Sequence, residues 1–264
     1  MARTPIQVHG HRGARAMRPE NTLPAFEYAI TVHADVLELD LAVTRDDVLV
    51  VSHDPVLNPE ICQSPGGSRV IRELTVAELS RWDCGSLRNP QFPKQQPAPG
   101  ARIPTLEQVL DLASRGSFHF NIETKISPEH PEYTPSPERF AALLLQILRK
   151  RKLEHRVIVQ SFDFRTLQAM QRMAPEIRLS ALFEDRDRSF VEVSRESGAK
   201  IVSPQHRLIT EKQVQAAHHA GLQVVPWTAN TPADWERLIN AQVDGIITDD
   251  PAALITFLES RGLR

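Results

Sequence analysis

Four short polar clusters, far apart in the chain, carry the residue types of one active site: His11-Arg12-Gly13, Glu38-Leu39-Asp40, His53-Asp54 and Glu123-Thr124-Lys125. Each lies on or just after an apolar, β-branched run, so strands could aim the polar side chains into a common mouth. Three carboxylates able to hold a divalent cation, two histidines able to move protons, and an arginine with a lysine to neutralise an anion suit metal-assisted phosphoester hydrolysis.

In an extended strand, residues two apart share a face, so Glu38 points with Asp40 and Glu123 with Lys125. Leu37, Leu39, Leu41 and Ile122 then point the other way, towards packing helices. An acidic pair on an inward face is costly to desolvate and requires a cation or hydrogen-bond donors. Glu38, Asp40 and Glu123 are therefore the candidate metal ligands, and an all-oxygen set favours one Mg²⁺, Mn²⁺ or Ca²⁺ ion over zinc. His11 and His53 stand at the ends of expected strands, where an imidazole can take a proton at one step and return one at another. Of the chain's ten histidines the remainder read as structural, with His9 the hardest to separate because it shares strand parity with His11.

The elements that must position these groups alternate in type. β-rich runs at 6–11, 36–43, 119–125, 157–162, 178–183, 200–204, 223–228 and 244–248 are separated by amphipathic stretches with helix punctuation, such as Thr105 before Leu106 and Pro232 before Trp235. Eight such units close most economically as a (β/α)8 TIM barrel. An open doubly wound sheet is the runner-up, lowered by the lack of a Gly-rich fingerprint after the first strand. The whole chain, 1–264, reads as one domain. From about 55 to 103 the rhythm breaks into clusters of Gly, Pro, Ser and Gln, which predicts an insertion subdomain with a short helix over 75–82, emerging beside His53.

A net charge of -2 excludes a polycationic face, so a small substrate is expected and nucleic acid is not. No run reaches about 18 apolar residues, and 1–10 holds no long apolar h-region, so neither a membrane span nor a signal peptide is visible. A cytoplasmic location follows, although an exported chain trimmed of its signal would read the same. Cys62 and Cys84, the two cysteines, are expected as reduced thiols, with a bridge between them as the alternative.

These residues resemble the glycerophosphodiester phosphodiesterase family. The match runs through an HRG motif at His11 to Gly13, PENT at Pro19 to Thr22, E-x-D at Glu38 and Asp40, and HD at His53 and Asp54. It continues with Asn121-Ile122-Glu123-Thr124-Lys125, Gln160-Ser161-Phe162, Pro226-Trp227-Thr228-Ala229-Asn230 and Asp244-Gly245-Ile246-Ile247-Thr248-Asp249, covering almost everything except the insertion. Order and spacing together make it specific.

The resemblance implies a TIM barrel with an insertion after the second strand, and metal-dependent cleavage of glycerophosphodiesters to glycerol 3-phosphate and an alcohol. Glu38, Asp40 and Glu123 would hold the ion with Glu20 nearby, and His11 and His53 would be general acid and base, in an order the sequence leaves open. The substrate's own glycerol hydroxyl would attack phosphorus, and water would then open the cyclic phosphate. Arg12 and Lys125 would stabilise the extra negative charge. Glu20 and Asn21 read either as a helix entry, with Thr22 as cap, or as support behind the metal ligands. Phe162 and Trp227 are candidate walls of the substrate pocket, with a structural aromatic layer as the alternative. Pro55-Val56-Leu57-Asn58-Pro59 departs from the family's Leu-Asp-Arg-Thr-Thr after the HD pair, which leaves substrate choice open. With no lipid-binding stripe in the insertion, water-soluble diesters such as glycerophosphocholine are expected. A lysophospholipase D using the same site is the nearer competitor; a non-catalytic phosphate-binding barrel and a sugar isomerase are farther ones.

Overall fold

Eight parallel strands wound in a ring follow from the repeated βα pattern. A computed structural model of the chain describes residues 5–264; residues 1–4, part of the start read for a signal, lie outside the described residues. The strands are β1 (Gln7–Gly10), β2 (Val36–Val43), β3 (Leu49–Val51), β4 (His119–Thr124), β5 (Val157–Ser161), β6 (Arg178–Phe183), β7 (Ile201–Pro204), β8 (Gln223–Val224) and β9 (Gly245–Thr248). Their order is β8-β7-β6-β5-β4-β2-β1-β9. Backbone bonds from Asp244 N to Val224 O and from Ile247 N to Pro226 O, 2.9 and 3.0 Å, join β9 to the β8 segment and close the ring. The TIM-barrel expectation holds.

β2 shows why the sequence folds this way. All eight residues of Val-Leu-Glu-Leu-Asp-Leu-Ala-Val are buried, as in a strand covered on both faces. Leu37, Leu39 and Leu41 join the core shared with the outer helices, while Glu38 and Asp40 take the opposite face. Inside the barrel, Ile158, Ile201, Val225 and Ile247 form an apolar cluster that the polar residues flank.

The helices begin as their sequences dictate: α1 (Leu23–Thr31), α2 (Val76–Leu79), α3 (Leu106–Leu110), α4 (Pro137–Arg151), α5 (Phe164–Met173), α6 (Phe190–Ser197), α7 (Glu211–His219), α8 (Pro232–Asn240) and α9 (Pro251–Glu259). Thr105 forms a capping box with Gln108, and α1, α4, α8 and α9 carry Pro in the first turn, where a missing N–H costs nothing.

Five details differ from the sequence reading. The strand expected before His53, β3, pairs antiparallel with β2, Leu41 opposite Val51, so the insertion follows a hairpin rather than a lone barrel strand. The seventh expected strand is regular only over Gln223–Val224, although Val225 and Trp227 still donate to β7 carbonyls. The helix expected over 75–82 is a single turn, Val76–Leu79. Thr22 occupies the entry of α1 without capping it; its hydroxyl donates to Pro19 O at 2.6 Å instead.

The fifth is the largest. Cys62 and Cys84 are joined in a disulfide, not held as free thiols, because the folding of 55–103 brings their Cα atoms to 4.0 Å. The low cysteine count had argued for thiols, and count carries no information on proximity. The bridge lies in a separate core with Leu57, Ile71, Leu79 and Trp82, which packs the insertion as a cap against β3. It closes a loop of 22 residues, so reduction, or Cys62→Ser with Cys84→Ser, is expected to cost about 3 kcal/mol through the freed unfolded cap. Hydrogen exchange should then rise over 55–103 first; equal protection with and without dithiothreitol would contradict this.

Candidate active site

The polar clusters meet at one end of the barrel. Gly10 ends β1 and the chain turns sharply: Arg12 adopts φ 51° and Gly13 φ 83°, a conformation that costs glycine nothing. A side chain at Gly13 would lie 2.7 Å from the backbone of Ala25, so the loop can pack on α1 only with glycine there. This turn directs the Arg12 N–H at Glu38 Oε2, 2.8 Å away. The HRG motif thus places a backbone donor as well as two side chains.

Glu38, Asp40 and Glu123 are buried, and one oxygen from each lies within 4.8 Å of the others. β2 and β4 run in parallel register with Asp40 opposite Glu123, which is why strand parity alone could find the trio. Lys125, just past β4, reaches Glu123 Oε1 at 2.9 Å and Asp40 Oδ1 at 3.5 Å. Arg12 Nε stands 3.3 Å from Asp40 Oδ2, and its Nη1 donates to Glu20 Oε1 at 2.6 Å. Asn21 donates to Asp40 Oδ2 at 2.9 Å, so Asn21 stands behind a carboxylate and Glu20 behind Arg12, and neither caps the helix.

Three buried negative groups repel one another. Burial, then Asp40 and Glu123, push the Glu38 carboxyl well above its ordinary range. Burial also raises Glu123, against the opposing pull of Lys125. For Asp40 burial acts upward, but Lys125, His53 and Arg12 together hold it well below the usual carboxylate range. Buried Asp40 Oδ1 accepts no hydrogen bond; Lys125 Nζ, 3.5 Å away, is an ion-pair contact only, which leaves the oxygen's lone pairs unmatched. Hard oxygen donors, crowded charge and this unmatched oxygen fit a divalent cation.

The two histidines flank the trio, each tied to a carboxylate. His11 Nδ1 lies 2.6 Å from Asp249 Oδ1, and His53 Nδ1 lies 2.7 Å from Asp54 Oδ1. Asp249, at the end of β9, is 2% exposed and further held by Arg15 Nε at 2.6 Å and Asn230 Nδ2 at 2.7 Å. Burial opposes its ionisation, yet His11 and Arg15 keep it a carboxylate well below its usual range. His11 itself is lowered to about 4 by burial, with Arg15 and Arg12 adding to the effect against the pull of Asp249. Its imidazole is therefore neutral at neutral pH, and the Asp249 bond fixes which nitrogen carries the proton. His9, by contrast, sits fully buried in the barrel with neither nitrogen partnered, lowered to about 3 chiefly by burial, and takes no part in the mouth.

Phe162 and Trp227 meet edge to face at 5.3 Å on the far side of the mouth. With Leu182 and Ile247 they line a cavity of about 140 Å3 that also contains His11, Arg12, Arg15, Glu38, His53, Glu123 and Lys125. Trp227 is anchored by its indole N–H on Ser203 O at 2.8 Å, whereas Phe162 is 45% exposed, beside Lys125.

Several supporting residues carried no assigned role in the sequence. Gln160 donates to Glu38 Oε1 at 2.8 Å and accepts from Asn121 at 2.8 Å. Both share the inward parity of the trio, a signal that was available. Asp249, Arg15 and Asn230 come from opposite ends of the chain, and no local pattern joins them. Asp249→Asn should leave His11 free to rotate and to adopt the other tautomer. The expected result is a fall in kcat of about 10²-fold with KM little changed; a loss confined to KM would contradict an orienting role.

Comparisons with known proteins converge on one family. The model of the glycerophosphoryl diester phosphodiesterase family matches residues 11–253. A glycerophosphodiester phosphodiesterase of Caldanaerobacter subterraneus subsp. tengcongensis is 32% identical over 255 residues, covering 97% of this chain and 98% of that protein. Another of the same name from Bacillus subtilis is 31% identical, covering 93% and 84%. The crystal structure of a protein from Silicibacter pomeroyi DSS-3, provisionally named a glycerophosphoryl diester phosphodiesterase, superposes with a TM-score of 0.91 at 32% identity, covering 98% and 95%.

Proposed function

The chain belongs to the glycerophosphoryl diester phosphodiesterase family, and we propose that it hydrolyses water-soluble glycerophosphodiesters to glycerol 3-phosphate and an alcohol, with a divalent cation and two histidines. The observation that carries this reading is the buried trio Glu38, Asp40 and Glu123, set between two carboxylate-tied histidines.

Glu38, Asp40 and Glu123 would hold the cation, with Asn21 and Gln160 fixing the orientation of Asp40 and Glu38, and Glu20 that of Arg12, through the bonds already described. When bound, one Mg²⁺, Mn²⁺ or Ca²⁺ would neutralise charge on the phosphoryl oxygens. Arg12 and Lys125 lie beside the trio and supply cationic donors to the same oxygens. One histidine takes the proton of the attacking hydroxyl, and the other returns one to the departing alcohol. Phe162 and Trp227 wall the mouth and exclude water from one side of the glycerol. The barrel and its cap at 55–103 work as a single catalytic domain.

A lysolipid would need to lodge its acyl chain on the glycerol side, where Phe162 and Trp227 offer a wall but the cavity is only about 140 Å3. Among the described residues no helix is long and apolar enough to cross a membrane. The cytoplasmic location read from the sequence belongs to this proposal, and the Cys62–Cys84 bridge, of a kind that persists in oxidising compartments, is the observation against it.

The test is the bond that breaks. Incubated with glycerophosphocholine and a divalent cation, the protein is expected to yield glycerol 3-phosphate by ³¹P NMR, with choline as the other product. Phosphocholine with glycerol, or turnover of lysophosphatidylcholine alone, would overturn the reading.

A further inference from the structure

The cap reaches the mouth of the barrel through one short strap. Residues 89–96 form no regular element, yet they carry Gln95, which is 4% exposed and uses both ends of its side-chain amide. Its Oε1 accepts the Asn89 N–H at 2.8 Å, which closes the strap on itself, and its Nε2 donates to the carbonyls of Arg15 and Arg18 at 2.7 and 3.2 Å. The Gln96 N–H adds a bond to Met17 O at 3.0 Å, so the carbonyls of Arg15, Met17 and Arg18 are all held from the cap. The Arg15 guanidinium also lies over the Phe92 ring, 5.0 Å from its centre. A buried amide satisfied at both ends is a specific placement, unlike the passing contact of a surface loop.

What Arg15 holds gives this contact its consequence. Its Nε and Nη2 donate to the two oxygens of Asp249 at 2.6 and 3.3 Å, and the oxygen nearer Nε also takes His11 Nδ1 at 2.6 Å. From the barrel, Asn230 donates to Asp249 Oδ2 at 2.7 Å and accepts the Asp249 N–H at 2.8 Å. Asp249 is gripped from two directions, and the Arg15 side depends on the cap. A long, rotatable arginine side chain keeps one direction only where something fixes its plane, as an aromatic face does. We propose that Phe92 and Gln95 are positioning residues: they hold Arg15, Arg15 holds Asp249, and Asp249 sets the direction of the His11 imidazole. The kinetic part of this inference rests on the diesterase reading above. The seating of the cap thus decides how often His11 stands in the geometry for proton transfer. Disturbing the strap lowers kcat, while the carboxylate trio, Arg12 and Lys125 keep their own contacts and KM changes little.

The test is the kinetics of the whole protein with glycerophosphocholine and a divalent cation. Phe92→Leu removes the ring at a half-buried position and is expected to lower kcat about threefold, with KM nearly unchanged. Phe92→Tyr keeps the ring face and should retain the parent value. Gln95→Met, close in shape but without the amide, should lower kcat about tenfold. In an Arg15→Met background, where no guanidinium remains to be placed, neither change should lower kcat further. Equal losses with and without Arg15, losses carried by KM, or a Phe92→Tyr protein no better than Phe92→Leu would overturn the proposal. A readout independent of turnover is the Nδ1 proton of His11, assigned by its loss in His11→Ala. Its bond to Asp249 should place it at low field in the proton NMR spectrum, and in Gln95→Met it should broaden through exchange with water; an unchanged signal would contradict the proposal. If the unaltered chain cleaves no glycerophosphodiester while this signal still answers to Gln95, the diesterase reading fails and the positioning role stands.

Discussion

Glu123→Gln is expected to lower diester turnover by at least about 10³-fold, because a cation held by the trio would supply several kcal/mol of charge stabilisation and about 4 kcal/mol corresponds to that factor. The substitution keeps the shape of the side chain and an acceptor for Lys125, so the fold survives. A second readout separates lost ligation from simple damage. Glu123, Glu38 and Asp40 are like charges in a buried site, and removing one relieves repulsion. The metal-free variant should therefore melt higher than the metal-free parent, by roughly 2–4 °C if the relief is about 1 kcal/mol. Added cation should stabilise the parent and leave the variant unmoved. A variant that is less stable without metal, or that still gains stability from cation, would remove Glu123 from the ligand set.

His11→Ala comes next in size, with an expected loss of about 10²- to 10⁴-fold in kcat, the range of a missing acid or base. The geometry makes this demanding, since the imidazole is mostly buried, neutral at neutral pH and bound by Asp249, which Arg15 and Asn230 hold in turn. Such a network orients one side chain at a cost in burial that packing alone would not sustain. Combining His11→Ala with Asp249→Asn should cost little more than His11→Ala alone, because both changes remove the same oriented nitrogen. Additive losses would mean that Asp249 acts elsewhere, and near-full activity in His11→Ala would end the two-histidine reading.

Much of this site was legible because strand parity is a local property. Glu38 with Asp40, and Glu123 with Lys125, follow from a two-residue repeat. The barrel was legible for the same reason: eight apolar runs spaced by amphipathic helices leave few closed arrangements. What escaped depends on contacts between distant segments. Asp249 and His11 are 238 residues apart, and the Cys62–Cys84 bridge depends on how an irregular stretch folds back on β3. Thr22 shows a local failure, where a residue of the right type at a helix entry spends its hydroxyl on the preceding turn. The pairing of β3 was hidden as well, since an apolar triplet does not reveal whether it continues a barrel or folds back on its neighbour.

The most direct test of a cation-dependent diesterase is release of glycerol 3-phosphate from glycerophosphocholine by metal-stripped protein, with Mg²⁺, Mn²⁺ or Ca²⁺ added back one at a time. Release that is absent in chelator and returns with a cation is the predicted result. Undiminished release in chelator, or none with any of the three ions, would contradict it.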